Sequence, residues 1–181
     1  MISSSYVLSK LESDFAGTQQ VNYRLKNAID SVSKSNLPDY IIIDCPPAIN
    51  LLTNSALLCS KYILVPFQCE YYVLEGLSQL INSVRLGKLE DDLDSLLNLL
   101  GVVFTEYSKR MKLTIQVESE AKRYLKYKVF NVTIPRTVRM SEVPSFGKTI
   151  LYFDKYSYGA KAYLNLEKEL LNKCEKLNLK T

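Results

Sequence analysis

Asp44 stands at the end of an unbroken apolar run, Tyr40-Ile41-Ile42-Ile43, and is followed by Cys45, Pro46 and Pro47. A β-branched run without alternation suits a strand buried on both faces, as in a parallel sheet. A carboxylate at the carboxyl end of such a strand lies in the crevice where α/β sheets bind ligands. The competing reading is an aspartate that caps the next turn. A second string, Val65-Pro66-Phe67-Gln68-Cys69-Glu70, would put Gln68 and Glu70 at the same carboxyl edge, or simply let them cap the helix that follows. A third runs from Thr133 to Lys148. There Arg136, Arg139 and Lys148 follow a strand end at Pro135 among several hydroxyls, which makes either an anion-facing loop or a solvated basic one.

The elements that must position these residues alternate in type. Residues 16–34 carry Val21, Leu25, Ala28, Ile29 and Val32 at helical spacing, and residues 71–86 carry Val73, Leu77, Leu80, Ile81 and Val84. Strands are expected at 40–43, at 62–65 closed by Pro66, at 101–104, and at 128–134 ended by Pro135. A charged helix at about 113–125 lies between the last two. A final helix, 159–177, shows Tyr163, Leu166, Leu170, Cys174 and Leu177 on one stripe. Strand and helix in this rhythm predict βαβ units: an α/β fold with a doubly wound, mostly parallel sheet, in a single domain spanning 1–181.

Composition excludes several chemistries. The 181 residues contain no histidine, which removes Ser-His-Asp and Cys-His catalysis and the commonest general base. The four cysteines, Cys45, Cys59, Cys69 and Cys174, form no C-x-x-C pair, so free thiols in a reducing cytoplasm are expected rather than zinc. A net charge of +4 permits contact with an acidic polymer without demanding it. The opening MISSSYVLSK is not a signal peptide, and no apolar run approaches the ~20 residues of a membrane span. The expectation is a cytoplasmic protein with no membrane partner.

Taken in order, DYIIIDCPPAINLLTNSAL, VPFQCEYYVLEGLSQL and IPRTVRMSEVPSFGK resemble signatures of the ParA/Soj partition ATPases. These belong to the deviant-Walker branch of P-loop proteins, which also holds MinD. The resemblance runs from about Tyr23 to Leu170, and the third string separates this group from its relatives. It implies a P-loop NTPase-like fold, incomplete at the amino-terminal side, because the family's KGGVGKTT loop has no counterpart. Gly147-Lys148-Thr149 mimics the end of G-x-x-x-x-G-K-S/T, but Glu142 occupies the place of the first glycine. The chain is therefore expected to be the carboxyl-terminal two-thirds of a ParA-type ATPase domain, inactive alone.

The resemblance also implies roles. Asp44 is the Walker B residue for Mg²⁺, and Pro46, Pro47 and Asn50 belong to the switch that follows it. Thr105, Pro135 and Arg136 form the adenine and ribose end of an ATP site. Lys126, Arg139 and Lys148 are candidates for DNA, although Tyr152, Tyr156 and Tyr158 stand where the family is often basic. The implied partners are a second copy in an ATP-dependent homodimer or a full-length ParA, a centromere-binding ParB-like protein, and DNA bound non-specifically at the nucleoid. Two other functions fit the same strings. One is a non-catalytic partner or decoy of a full-length ParA. The other is a MinD-like division-site ATPase, whose terminal helix would have to meet a membrane.

Overall fold

A computed structural model describes residues 20–33, 38–46, 50–69 and 99–178. Two compact units divide the chain: Met1–Lys61 with Leu86–Asp92, and Tyr62–Arg85 with Leu93–Thr181. The first contains helix α1 (Gln20–Ser33) and helix α2 (Leu51–Cys59), which pack on each other. Asn50 caps α2, its side-chain oxygen accepting the Thr53 N–H at 2.9 Å. At the other end the Ser60 hydroxyl donates to the Ala56 carbonyl at 2.6 Å.

Residues 38–46 form no strand, and Tyr40, Ile41 and Ile42 are exposed, Ile42 by 89%. The expected strand at 40–43 is thus absent. Apolar character favours a strand only where a neighbour completes its ladder. Among the described residues, this segment is not one of the paired strands of the sheet.

The second unit is built on three parallel strands in the order β1 (Ile63–Gln68), β2 (Leu99–Tyr107), β3 (Val129–Pro135). β1 continues through Pro66 rather than stopping there. As an edge strand of the described sheet, it can turn the missing N–H away from the ladder. Helix α3 (Lys112–Leu125) covers one face, placing Val117 and Ala121 against Phe67, Val102 and Phe104. Helix α6 (Tyr158–Asn178) covers the other, placing Ala162, Leu166, Leu170 and Cys174 against Leu100, Val103, Phe130 and Ile134. Between β3 and α6 lie two short helices, α4 (Val138–Glu142) and α5 (Ile150–Phe153). Helices on both faces of a parallel sheet make the α/β architecture anticipated from the pattern. The expected helix at 71–86 lies outside the described residues.

Two irregularities set where the strand ends fall. Ile63 pairs with Leu99 and Leu64 with Gly101, so β2 carries one extra residue at its start. That bulge sends Leu100 and Val102 to opposite faces although they are two positions apart. Gly101 is required there: at φ 157°, a Cβ would lie 2.3 Å from the Lys128 carbonyl oxygen. Further along, β2 advances two residues from Val102 to Phe104 while β3 advances four, from Val129 to Thr133. The Asn131 and Val132 N–H groups freed by this jump both donate to the Glu169 carboxylate of α6, at 2.9 and 3.0 Å. Lys173, one turn on, donates to the Tyr127 carbonyl at 3.0 Å and lies 4.1 Å over the Phe130 ring.

Candidate nucleotide-binding edge of the sheet

The carboxyl ends of the three strands bring several polar residues side by side. Gln68 is in register with Thr105, and Tyr107 with Pro135. The Arg136 N–H donates to the Tyr107 carbonyl at 3.4 Å, so Arg136 leaves β3 alongside the end of β2. Its guanidinium lies 3.7 Å from the Glu106 carboxylate, with 76% and 54% of the two side chains exposed. A pair this open contributes well under ~1 kcal/mol, which leaves the guanidinium free to turn to a stronger anion. Thr105 and the Pro135-Arg136 pair, thirty residues apart in sequence, therefore share one edge.

Packing below that edge explains its shape. The Tyr107 ring is buried against Phe104, 6.2 Å between centroids, and its hydroxyl donates to the Glu118 carboxylate on α3. Glu118 also pairs with Lys122 at 2.5 Å. Burial, and then the bond to Glu118, push the Tyr107 phenol up to about 12. Burial alone would raise Glu118, but the hydrogen bonds from Lys122 and Tyr107 outweigh it and hold the carboxyl below its usual range. Burial likewise pushes the Cys69 thiol up to about 11, so it stays protonated and inert at neutral pH. Beside Tyr107, Glu106 has a left-handed backbone, φ 49°, and a half-exposed side chain. Neither Glu106 nor the Tyr107–Glu118 bond was legible as part of this edge. The only sequence signal is a tyrosine on a buried strand eleven residues before a helical glutamate.

The other expected site residues fall on several elements of the two units. Asp44 belongs to the first unit and stands exposed on the irregular segment 38–46. Pro46 is exposed, Pro47 lies outside the described residues, and Asn50 has a structural task as the cap of α2. Among the described residues, no group of three or more acidic or cysteine side chains converges as a metal site. Lys126 lies at the carboxyl end of α3 with φ 50°, Arg139 in α4 pairs with Glu142 at 3.7 Å, and Lys148 is exposed beyond Gly147. The three candidate DNA contacts sit on three separate elements. No helix among the described residues is long and apolar enough to cross a membrane.

A parallel sheet covered on both faces, with polar residues at the strand carboxyl ends, makes a doubly wound α/β protein with its ligand edge where such sheets bind ligands. A family model described as an AAA domain matches residues 1–98. The chain is 45% identical over 170 residues to the sporulation initiation inhibitor protein Soj of Bacillus subtilis, covering 94% of this chain and 66% of Soj. It is 37% identical to the chromosome partitioning protein ParA of Caulobacter vibrioides, covering 92% of this chain and 61% of that one. The corresponding figures for the Myxococcus xanthus ParA are 41%, 92% and 57%. A solved plasmid partition protein from Borrelia burgdorferi, bound to AMPPNP, shares the fold with a TM-score of 0.68 at 20% identity, covering 92% of this chain and 60% of that one. The chain belongs to the ParA/Soj family of partition ATPases, and it spans about two thirds or less of the length of these relatives.

Proposed function

We propose that this chain is the carboxyl-terminal part of an ATPase that partitions chromosomes or plasmids. In this reading it binds Mg-ATP, self-associates with nucleotide, binds DNA non-specifically in the cytoplasm, and answers to a ParB-like partner. The observation that carries it is the 45% identity to Soj over nearly the whole chain. Thr105, Pro135 and Arg136 are the residues that would hold the base and ribose end of the nucleotide. The Thr105 hydroxyl can donate or accept, Pro135 offers an apolar ring, and among the described residues the Arg136 guanidinium meets Glu106 in an open ion pair. Asp44 would hold the magnesium that ATP brings, whose chemistry is to neutralise charge on the phosphates during transfer. The 181 residues contain no Walker A loop, and positioning with charge stabilisation supplies most of the catalysis in such enzymes. These residues alone should therefore bind adenine nucleotides weakly and without turnover.

Titration calorimetry with AMP, ADP and ATP tests the base end. The expected result is weak binding of similar strength for all three, reduced by Arg136→Ala. A strong preference for ATP would place a phosphate site within these residues and overturn the assignment. The division-site alternative loses support from α6, whose apolar stripe is used against the sheet. A non-catalytic partner of a full-length ParA differs from the main reading only in whether a Walker A loop is ever supplied.

A further inference from the structure

We infer that Glu106 reads the sugar of the nucleotide, its carboxylate accepting both hydroxyls of a ribose. This deepens the reading of the edge as the base and ribose end of a nucleotide site, and it rests on that reading. Glu106 lies inside β2, yet its φ is 49°, a torsion that strains a residue with a Cβ and marks a position worth a functional explanation. Among the described residues, the other non-glycine residue with positive φ is Lys126. It ends helix α3, where its N–H donates to the Lys122 carbonyl and closes the last turn. Glu106 closes no helix and sits in a bulge instead. From Phe104 to Tyr107 β2 advances three residues, while β3 advances two, from Thr133 to Pro135. A bulge at a strand end re-aims a side chain, and here the Glu106 carboxylate comes to 3.7 Å from Arg136.

The chemistry of that pair narrows the ligand. A guanidinium alone would invite a phosphate, but a carboxylate beside it offsets its charge and repels a second anion. A carboxylate only accepts hydrogen bonds, so its ligand must bring neutral donors. A nucleotide has two kinds, the amino group of its base and the hydroxyls of its sugar. The ribose offers two adjacent O–H donors to the two carboxylate oxygens, whereas the base offers a single amino group. Acidic side chains at the carboxyl edge of parallel sheets hold ribose hydroxyls in this way in dinucleotide-binding folds. The Glu106 side chain is 54% exposed, so a ligand reaches it without opening the structure.

Calorimetric titration of the 181-residue chain with AMP, 2′-deoxy-AMP and 3′-deoxy-AMP tests this. AMP should bind best and each deoxy form roughly tenfold more weakly, the loss of one hydrogen bond to a charged acceptor. Glu106→Gly removes the side chain where glycine accepts the torsion, and should bind all three alike. Glu106→Gln, which keeps one accepting oxygen, should retain part of the preference. Arg136→Ala should weaken all three together and leave their ratio. The three ligands carry the same phosphate, so a general change of charge cannot imitate a change in ratio. Circular dichroism of each variant controls for folding. Equal binding of the three that Arg136→Ala still weakens overturns the sugar assignment and spares the nucleotide site. Binding of none overturns both. If Glu106→Gly loses discrimination between AMP and IMP but keeps that between AMP and its deoxy forms, Glu106 reads the base and the sugar assignment falls.

Discussion

Gly101→Ala and Gly147→Ala form a matched pair, because both glycines have positive φ but only one is crowded. At Gly147, φ 58°, an added Cβ meets nothing within 4 Å. The cost is that of a left-handed alanine, about 1 kcal/mol. At Gly101 the Cβ would lie 2.3 Å from the Lys128 carbonyl oxygen and 2.8 Å from the Phe130 ring. The nearer atom is backbone, so relief requires β2 and β3 to part by about an ångström, against interiors that are close-packed. Adding the backbone penalty at φ 157° to an overpacking cost gives roughly 3–5 kcal/mol. That is a large share of the ~5–15 kcal/mol expected for a domain. Urea unfolding followed by circular dichroism should place Gly101→Ala several kcal/mol below wild type and Gly147→Ala about 1 below. If the two variants cost the same, the bulge that fixes the strand ends is not as described.

Tyr107→Phe should cost about 1.5 kcal/mol at neutral pH, the value of one hydrogen bond to a partly buried carboxylate. Because burial and that bond raise Tyr107 to about 12 from 10, they add stability that is complete below pH 10 and lost as pH climbs towards 12. The variant should lack that loss, and an alkaline unfolding series checks it. Glu169→Ala should expose the Asn131 and Val132 amides to rapid hydrogen exchange, whereas Glu169→Gln, which keeps one acceptor, should preserve part of their protection. Ile42→Lys should change stability by less than ~0.5 kcal/mol and reduce light scattering, since Ile42 is exposed. A loss of several kcal/mol would mean that a strand pairs there.

Periodicity was enough to locate the long elements. The stripe on α6 and the buried runs of β2 and β3 are visible because a helix or strand packed on one core repeats its contacts at a fixed period. What it could not supply depends on neighbours. β1 runs through Pro66 because its described position is an edge, which no local signal reports. Tyr40 to Ile43 reads as a buried strand by composition, yet strand formation is decided by the adjacent ladder. The Glu169 clamp is also silent in sequence, since a glutamate on a helix ordinarily faces water. For the site, Thr105, Pro135 and Arg136 were anticipated from the family's strings, and the parallel register is what brings them together. Asp44 was anticipated by the same route, and it stands on the irregular backbone of 38–46. Glu106 stands out by its left-handed backbone torsion, which its residue type does not announce.

The central claim is that these residues supply the magnesium and base ends of a partition ATPase. It is tested most directly by phosphate release from Mg-ATP, measured on the 181-residue chain alone and after co-expression with the P-loop segment of the Bacillus subtilis Soj. The account predicts no turnover alone, and magnesium-dependent turnover by the pair that Asp44→Ala abolishes. Hydrolysis by the chain alone, or a pair indifferent to Asp44→Ala, would contradict it.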